Sequence, residues 1–270
     1  MDAINRTAHL VLNRNLIASA VAFFSLLCVC APTFSAPSLG YHIERIEPHD
    51  STRFTQGLTI VGDRLIESTG GYGLSLLSVR NLNGSAEERL IRLPSNVFGE
   101  GVSAAPGGLM QLTWRAGIAW LFNDALELQA RYSYEGEGWG LTFDGTRFVM
   151  SNGTSRLLFR STTTFRTESM IEVRDKGRSV SQLNELEFAH GYIFANIWHS
   201  DRIAVIDPAN GEVRAWLDLA RLKQGFRKPA HWDAREHVLN GIAYDQKRDE
   251  FWLTGKCWPV LYVIKLDGLP

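Results

Sequence analysis

Eight side chains capable of chemistry fall at two fixed places in a repeated pattern. Five of them open a short phrase in which Gly or Glu and then an aliphatic residue follow: Gln56-Gly57-Leu58, Glu100-Gly101-Val102, Trp139-Gly140-Leu141, Asn184-Glu185-Leu186 and Asn240-Gly241-Ile242. A second landmark lies 13 residues past the middle of each phrase, at Gly70, Trp114, Gly153 and Trp198, and 15 residues past it in the fifth repeat, at Lys256. If the two columns converge, they bring together three Trp, one carboxylate, one ammonium and three carboxamides. Phe54 and Phe98, each two residues before its phrase, add apolar wall. An aromatic lining with a few convergent polar groups is the composition of a small-ligand pocket. Each residue also suits a plainer task. A carboxamide at a strand start caps backbone groups, a Trp at a strand end packs core or rim, Lys256 stacks on Trp258, and Glu100 pairs with Lys256. A purely structural repeat would place similar residues in a column, whereas these differ from repeat to repeat.

The segments between the landmarks must position these groups. Five nine-residue stretches (62–70, 106–114, 145–153, 190–198 and 248–256) align without gaps and read as strands. A strand precedes each, a third follows each (74–82, 117–123, 156–162, 202–208, 260–266), and a fourth follows in four repeats (88–93, 126–135, 169–175, 212–219). The fifth repeat ends without a fourth strand, and a spare strand, 41–47, precedes the first. Five four-stranded repeats closed by that strand predict an all-β fold, a five-bladed β-propeller whose N-terminal strand completes the last blade. An open β-sandwich is the alternative. Residues 220–239 interrupt the scheme as a surface excursion, read either as a solvated connector or as a segment that gates a ligand at the channel mouth.

The bulk properties are compatible. The chain has 270 residues, 45% hydrophobic and 21% charged, with a formal net charge of −1, so no footprint for nucleic acid is present. Arg6 and Arg14 flank a start that leads into an uncharged run at 16–30, followed by Ser35-Ala36, the pattern of an export signal over residues 1–35. A membrane anchor is the alternative, but the run is short for a span of roughly 20 residues. The expectation is a propeller domain over 36–270, exported to the periplasm or secreted, without stable membrane contact after signal removal, and monomeric. Of three cysteines only Cys257 lies beyond the signal, so no internal disulfide forms in that domain. The seven His show no metal-ligand spacing, and no phosphate-binding or Ser-nucleophile motif is present, so neither metal nor cofactor is expected.

The stretches FTQGL (54–58), FGEG (98–101), QLTW (111–114), GEGWGLT (136–142), LNELE (183–187), ANIWHSDRIAVIDPANGEV (195–213), LNGIAYD (239–245) and TGKCWP (254–259) resemble, in order, the plant and bacterial type of glutaminyl-peptide cyclotransferase. The resemblance implies a metal-independent acyltransferase on a five-bladed propeller, with no cofactor. Its partners would be peptides or proteins with N-terminal Gln. Their α-amine attacks the side-chain amide, leaving pyroglutamate and ammonia. It implies Glu100 as proton shuttle, Lys256 tuning it, Gln56 and Asn184 orienting the amide or binding the oxyanion, and Phe54, Phe98, Trp114, Trp139 and Trp198 cradling the substrate. Ser78 stands where the family commonly has Arg, which is expected to weaken an ion pair between blades. Asn152 and Cys257 also depart from the pattern, at positions without an assigned role. A non-catalytic peptide-binding or scaffolding propeller is the rival. A lactonase-type hydrolase would want a ring of acids, and this ring has one.

Overall fold

The structure, a computed structural model, describes residues 35–83 and 89–270. The export signal expected over 1–35 therefore lies, apart from Ser35, outside the described residues. Strand elements account for the fold, and the described residues contain no α-helix.

Five antiparallel sheets follow one another along the chain. The first holds Thr55–Val61, Arg64–Thr69, Leu76–Asn81 and Arg89–Arg92, in that order. The second holds Gly99–Ala105, Gly108–Thr113, Ile118–Phe122 and Leu128–Ser133. Leu141–Phe143, Phe148–Met150, Arg156–Arg160 and Thr167–Glu172 form the third. Leu183–Ala189, Tyr192–Ile197, Arg202–Ile206 and Val213–Asp218 form the fourth. The fifth holds Leu239–Asp245, Glu250–Gly255 and Val260–Leu266, and Tyr41–Pro48 pairs antiparallel with its last strand. The N-terminal strand thus closes the ring, as the sequence predicts. First strands of successive blades touch one another all the way round, including the first and fifth.

The alternation of side chains explains the closure. Along one strand of the fifth blade, Phe251 and Leu253 join a core shared with the fourth blade, while Trp252 between them joins a core shared with the first. In the fourth blade, Ile203 and Val205 face the fifth blade, and Ala204 and Ile206 face the third. Five apolar clusters result, one per blade interface. Period-two alternation on a strand buried on both faces yields the nearly continuous apolar runs seen in the sequence. Outermost strands such as Leu128–Ser133 are largely exposed and polar, which protects the edges.

Three features exceed the sequence reading. Ser38–Leu39 adds a fifth, parallel strand to the fourth blade, paired with Trp216 and Leu217. A small hairpin, Arg174–Asp175 with Arg178–Ser179, follows the third blade, whose outer strand starts at Thr167 rather than at 169. The excursion at 220–239 contains a single 3-10 turn, Leu222–Gln224, and is partly anchored: Leu222 is buried, Tyr262 Oη donates to its carbonyl, and Phe226 stacks on Trp258 at 5.0 Å.

Candidate active site

The repeated phrase is a β-bulge. The ladder between the first two strands slips between Thr55 and Gly57, Gly99 and Val102, Leu183 and Leu186, and Leu239 and Ile242. A bulge turns one side chain out of the pleat, and such re-aiming is common beside active sites. The second column is in true register. Thr55 pairs with Thr69, Gly99 with Thr113, Leu183 with Ile197 and Leu239 with Gly255, so Gly70, Trp114, Trp198 and Lys256 each follow an equivalent pair. The two extra residues of the fifth repeat sit in its hairpin turn, 246–249, where the first blade has only Gly62 and Asp63. They leave Lys256 in line.

The middle residue of the phrase packs the axis. A Cβ on Gly57 would lie 2.4 Å from Val102 N, on Gly101 2.5 Å from Leu141 N, and on Gly140 2.0 Å from the Asn184 carbonyl. Each glycine therefore lets its blade approach the next. In the fourth blade the position is Glu185, which is fully buried. Its two oxygens accept from Leu58 N of the first blade at 3.2 Å and Ile242 N of the fifth at 2.8 Å. Burial, reinforced by the charge of Glu187, raises its pKa well above the carboxylate range, against the pull of its two backbone N–H donors.

All nine predicted site residues line one cavity of about 830 Å³: Phe54, Gln56, Phe98, Glu100, Trp114, Trp139, Asn184, Trp198 and Lys256. Glu100 is 3% exposed, and Gln56 Nε2 donates to its Oε1 at 2.9 Å. Its Oε2 has no hydrogen-bond partner among the described residues. Burial pushes the Glu100 carboxyl well above its usual range; the Lys256 charge pulls it down, Glu137 pushes it up, and the Gln56 hydrogen bond pulls it down. Lys256 is 5% exposed, and burial lowers its pKa against the opposing pull of Glu100, Glu236 and Cys257. No ion pair among the described residues joins Lys256 to Glu100. Instead the ammonium lies 4.8 Å from the centre of the Phe54 ring, and not on Trp258. Asn184 is buried, and its carboxamide makes no hydrogen bond to another described residue, which leaves it for a ligand.

The aromatic wall is interlocked. Phe98 meets Phe54 edge-on at 6.3 Å and Trp114 at 5.5 Å, and Trp139 meets Trp198 edge-on at 5.5 Å. Glycines at two landmarks make room: a Cβ on Gly70 would enter the Phe98 ring, and one on Gly153 the Trp139 ring.

Two functional neighbours escape the sequence reading. Glu137 Oε2 accepts the indole N–H of both Trp114 (2.8 Å) and Trp139 (3.0 Å), and Arg115 binds its other oxygen at 2.9 Å. Burial opposes ionisation of Glu137, but these donors outweigh it and hold its pKa low. Its signal was available, since it sits two residues before its phrase, the place of Phe54 and Phe98 in the first two repeats. Glu236, from the excursion, also lines the cavity. No local pattern marks it.

Asn240 lies behind the cavity, fully buried. Its Nδ2 donates to Gln56 Oε1 at 3.1 Å and to the Thr55 carbonyl at 3.0 Å. An amide whose oxygen is so engaged must point its NH₂ at Glu100, so Asn240 sets which way Gln56 faces. Replacing Asn240 by Ala is expected to lower kcat by on the order of tenfold to a hundredfold while KM changes little, because Gln56 is misaimed rather than lost. Steady-state kinetics checks it.

Ser78, at the position where the resemblance expects Arg, is itself bonded by a guanidinium, that of Arg53. Its Nη1 donates to Ser78 Oγ at 2.7 Å and to Glu67 Oε2 at 3.1 Å. His49 and Thr55 complete the cage around Glu67. Burial opposes its charge, yet His49 and Arg53 hold its pKa at about 2.

Comparison with known proteins finds similarity along nearly the whole chain. The family model of glutamine cyclotransferases matches residues 17–266. A glutaminyl-peptide cyclotransferase of Arabidopsis thaliana is 37% identical over 240 residues, covering 86% of this chain and 74% of that protein. The crystal structure of Myxococcus xanthus glutaminyl cyclase superposes with a TM-score of 0.79 at 34% identity, covering 87% of this chain and 100% of that one.

Proposed function

The chain belongs to the glutamine cyclotransferase family, and from that premise we propose how its cavity closes the N-terminal Gln of a peptide into pyroglutamate with release of ammonia. The observation that carries the reading is a buried carboxyl of raised pKa, Glu100, with one oxygen held by Gln56 and the other without a partner among the described residues.

The reaction moves the γ-acyl group of Gln from ammonia to the α-amine, which makes it an acyl transfer. The amine must be neutral to attack, and a cavity walled by Phe54, Phe98 and three Trp disfavours the ammonium by excluding water. As the new C–N bond forms, the carbonyl oxygen gains negative charge. The second N–H of Gln56 and the carboxamide of Asn184 are the donors for it. Glu100, protonated at rest, gives its proton to the departing nitrogen and takes one from the attacking nitrogen. Ammonia leaves, and the carboxyl ends as it began. Lys256 stabilises the carboxylate that exists between the two transfers.

In this reading the positive charge comes from Lys256 and no metal takes part. Ammonia release from Gln-Gly-amide by the purified chain in chelator tests it, and no release from folded protein would sink it. Loss of activity in chelator that zinc restores would overturn the metal-independent part alone. Replacing Lys256 by Met removes the charge that lowers the Glu100 pKa. The limb of the pH–rate profile that follows Glu100 is then expected to move to higher pH, and kcat to fall about tenfold to a hundredfold. A limb that stays in place would mean that Lys256 only packs on Phe54. Export by residues 1–35, to the periplasm or beyond, belongs to the same proposal and rests on the basic start and the apolar run.

A further inference from the structure

The cavity is lopsided. The second and third blades line it only with residues of the two columns and Phe98, the fourth only with Asn184 and Trp198, and the fifth with Lys256, while Glu236 of the excursion and Asp50, Thr52 and Arg53 of the segment after the closing strand add polar groups at the mouth. The first blade lines it with all four of its strands: Gln56 on the first, Thr69 on the second, Leu76 on the third, Leu90 and Arg92 on the fourth. Leu74, in the turn before the third strand, joins them. The volume of about 830 Å³ is near the upper end of small-ligand pockets, roughly 300–1,000 Å³, and exceeds what one Gln residue fills. Three of the exposed large apolar side chains cluster on this blade, with Leu74 69% exposed, Tyr72 56% and Leu90 44%. Tyr72 also stacks edge-on against Phe98 at 5.6 Å, which joins this apolar stretch to the catalytic wall.

We propose that the branch over the first blade is a subsite for the residues that follow the N-terminal Gln, and that it selects apolar side chains there. This deepens the cyclase reading and rests on it. The occupant follows from continuity: whatever extends from a Gln held at Glu100 has one long wall of the same cavity to lie on. Strands are spaced about 4.8 Å apart, so the third and fourth strands lie roughly 10 and 14 Å from the first. An extended peptide advances about 3.3 Å per residue, which brings residue four over Leu74 and Leu76 and residue five over Leu90. Apolar side chains there cover leucines that water otherwise meets.

The test compares kcat/KM for Gln-Gly-Leu-Leu-Leu-amide and Gln-Gly-Ser-Ser-Ser-amide, with Gln-Gly-amide as reference. The leucine peptide is expected to be favoured about tenfold. In the double variant Leu74→Asp, Leu90→Asp, both at exposed positions, the ratio of the two long peptides is expected to collapse towards one. Equal kcat/KM in the wild type, or a preference that survives the double variant, overturns the subsite. Binding of the same peptides to Glu100→Gln, followed by tryptophan fluorescence, reads the subsite without turnover. Failure of the cyclase reading therefore shows on Gln-Gly-amide, and failure of the subsite shows in the affinity ratio.

Discussion

Glu100→Gln is expected to reduce kcat by about a thousandfold or more, with the fold unchanged. A glutamine keeps the size of the side chain and still accepts from Gln56 Nε2, but it has no proton to give or take at the position of Oε2. General acid–base catalysis contributes about 10²- to 10⁴-fold, and here one group serves both transfers, so its loss removes both. Binding should survive, because the aromatic wall and Asn184 are untouched, so KM stays within a few-fold. The same variant separates the enzyme from a peptide-binding propeller. Ammonia release at the wild-type rate would sink the proton-shuttle role, whereas affinity retained without turnover is what the mechanism requires. Circular dichroism controls for folding. Removing a buried acid of raised pKa relieves a cost of burial, so the variant should be no less stable than wild type.

The second large effect concerns stability. Glu185→Ala is expected to cost about 3–5 kcal/mol, read from urea midpoints. It strips both partners from the buried N–H groups of Leu58 and Ile242, at about 1–3 kcal/mol each, and leaves a void on the axis. Glu185→Gln keeps one acceptor and should fall between. The pH dependence has a definite sign. The unfolded chain loses the Glu185 proton near the ordinary value of about 4.3, while the folded protein keeps it to a much higher pH. Between the two the folded state binds more protons, so this group's contribution declines as pH rises, and it levels off above the folded pKa. The stability gap between wild type and Glu185→Gln should therefore narrow from pH 4 towards pH 7. A gap that widens, or an alanine variant as stable as wild type, would mean that Glu185 does not tie the blades.

Much of this was legible in the sequence for a physical reason. Equivalent strands in a ring face equivalent neighbours, so the Gln56, Glu100, Asn184 and Asn240 positions recur with an aliphatic residue two places on. The register behind that spacing is the paired ladder that sets Trp114, Trp198 and Lys256 in line. Glu137 stands two residues before its phrase, as Phe54 and Phe98 do, but its role depends on indoles from separate blades, Trp114 of the second and Trp139 of the third. Glu236 was missed because the excursion carrying it has no repeat to align with. Lys256 was expected near Glu100, but its seat on Phe54 depends on contact between the last blade and the first.

By itself, the sequence determined the blade count, the closing strand, the two columns and, through the resemblance, the family. All of these are encoded in local periodicity and in the order of motifs. Only the tertiary structure decided which groups touch. It put Asn240 behind Gln56, set Glu185 as a tie between the first and fifth blades, and opened the cavity over the first blade. Hydrogen bonds and burial between residues more than a hundred positions apart form when the ring closes, and no local pattern carries that geometry.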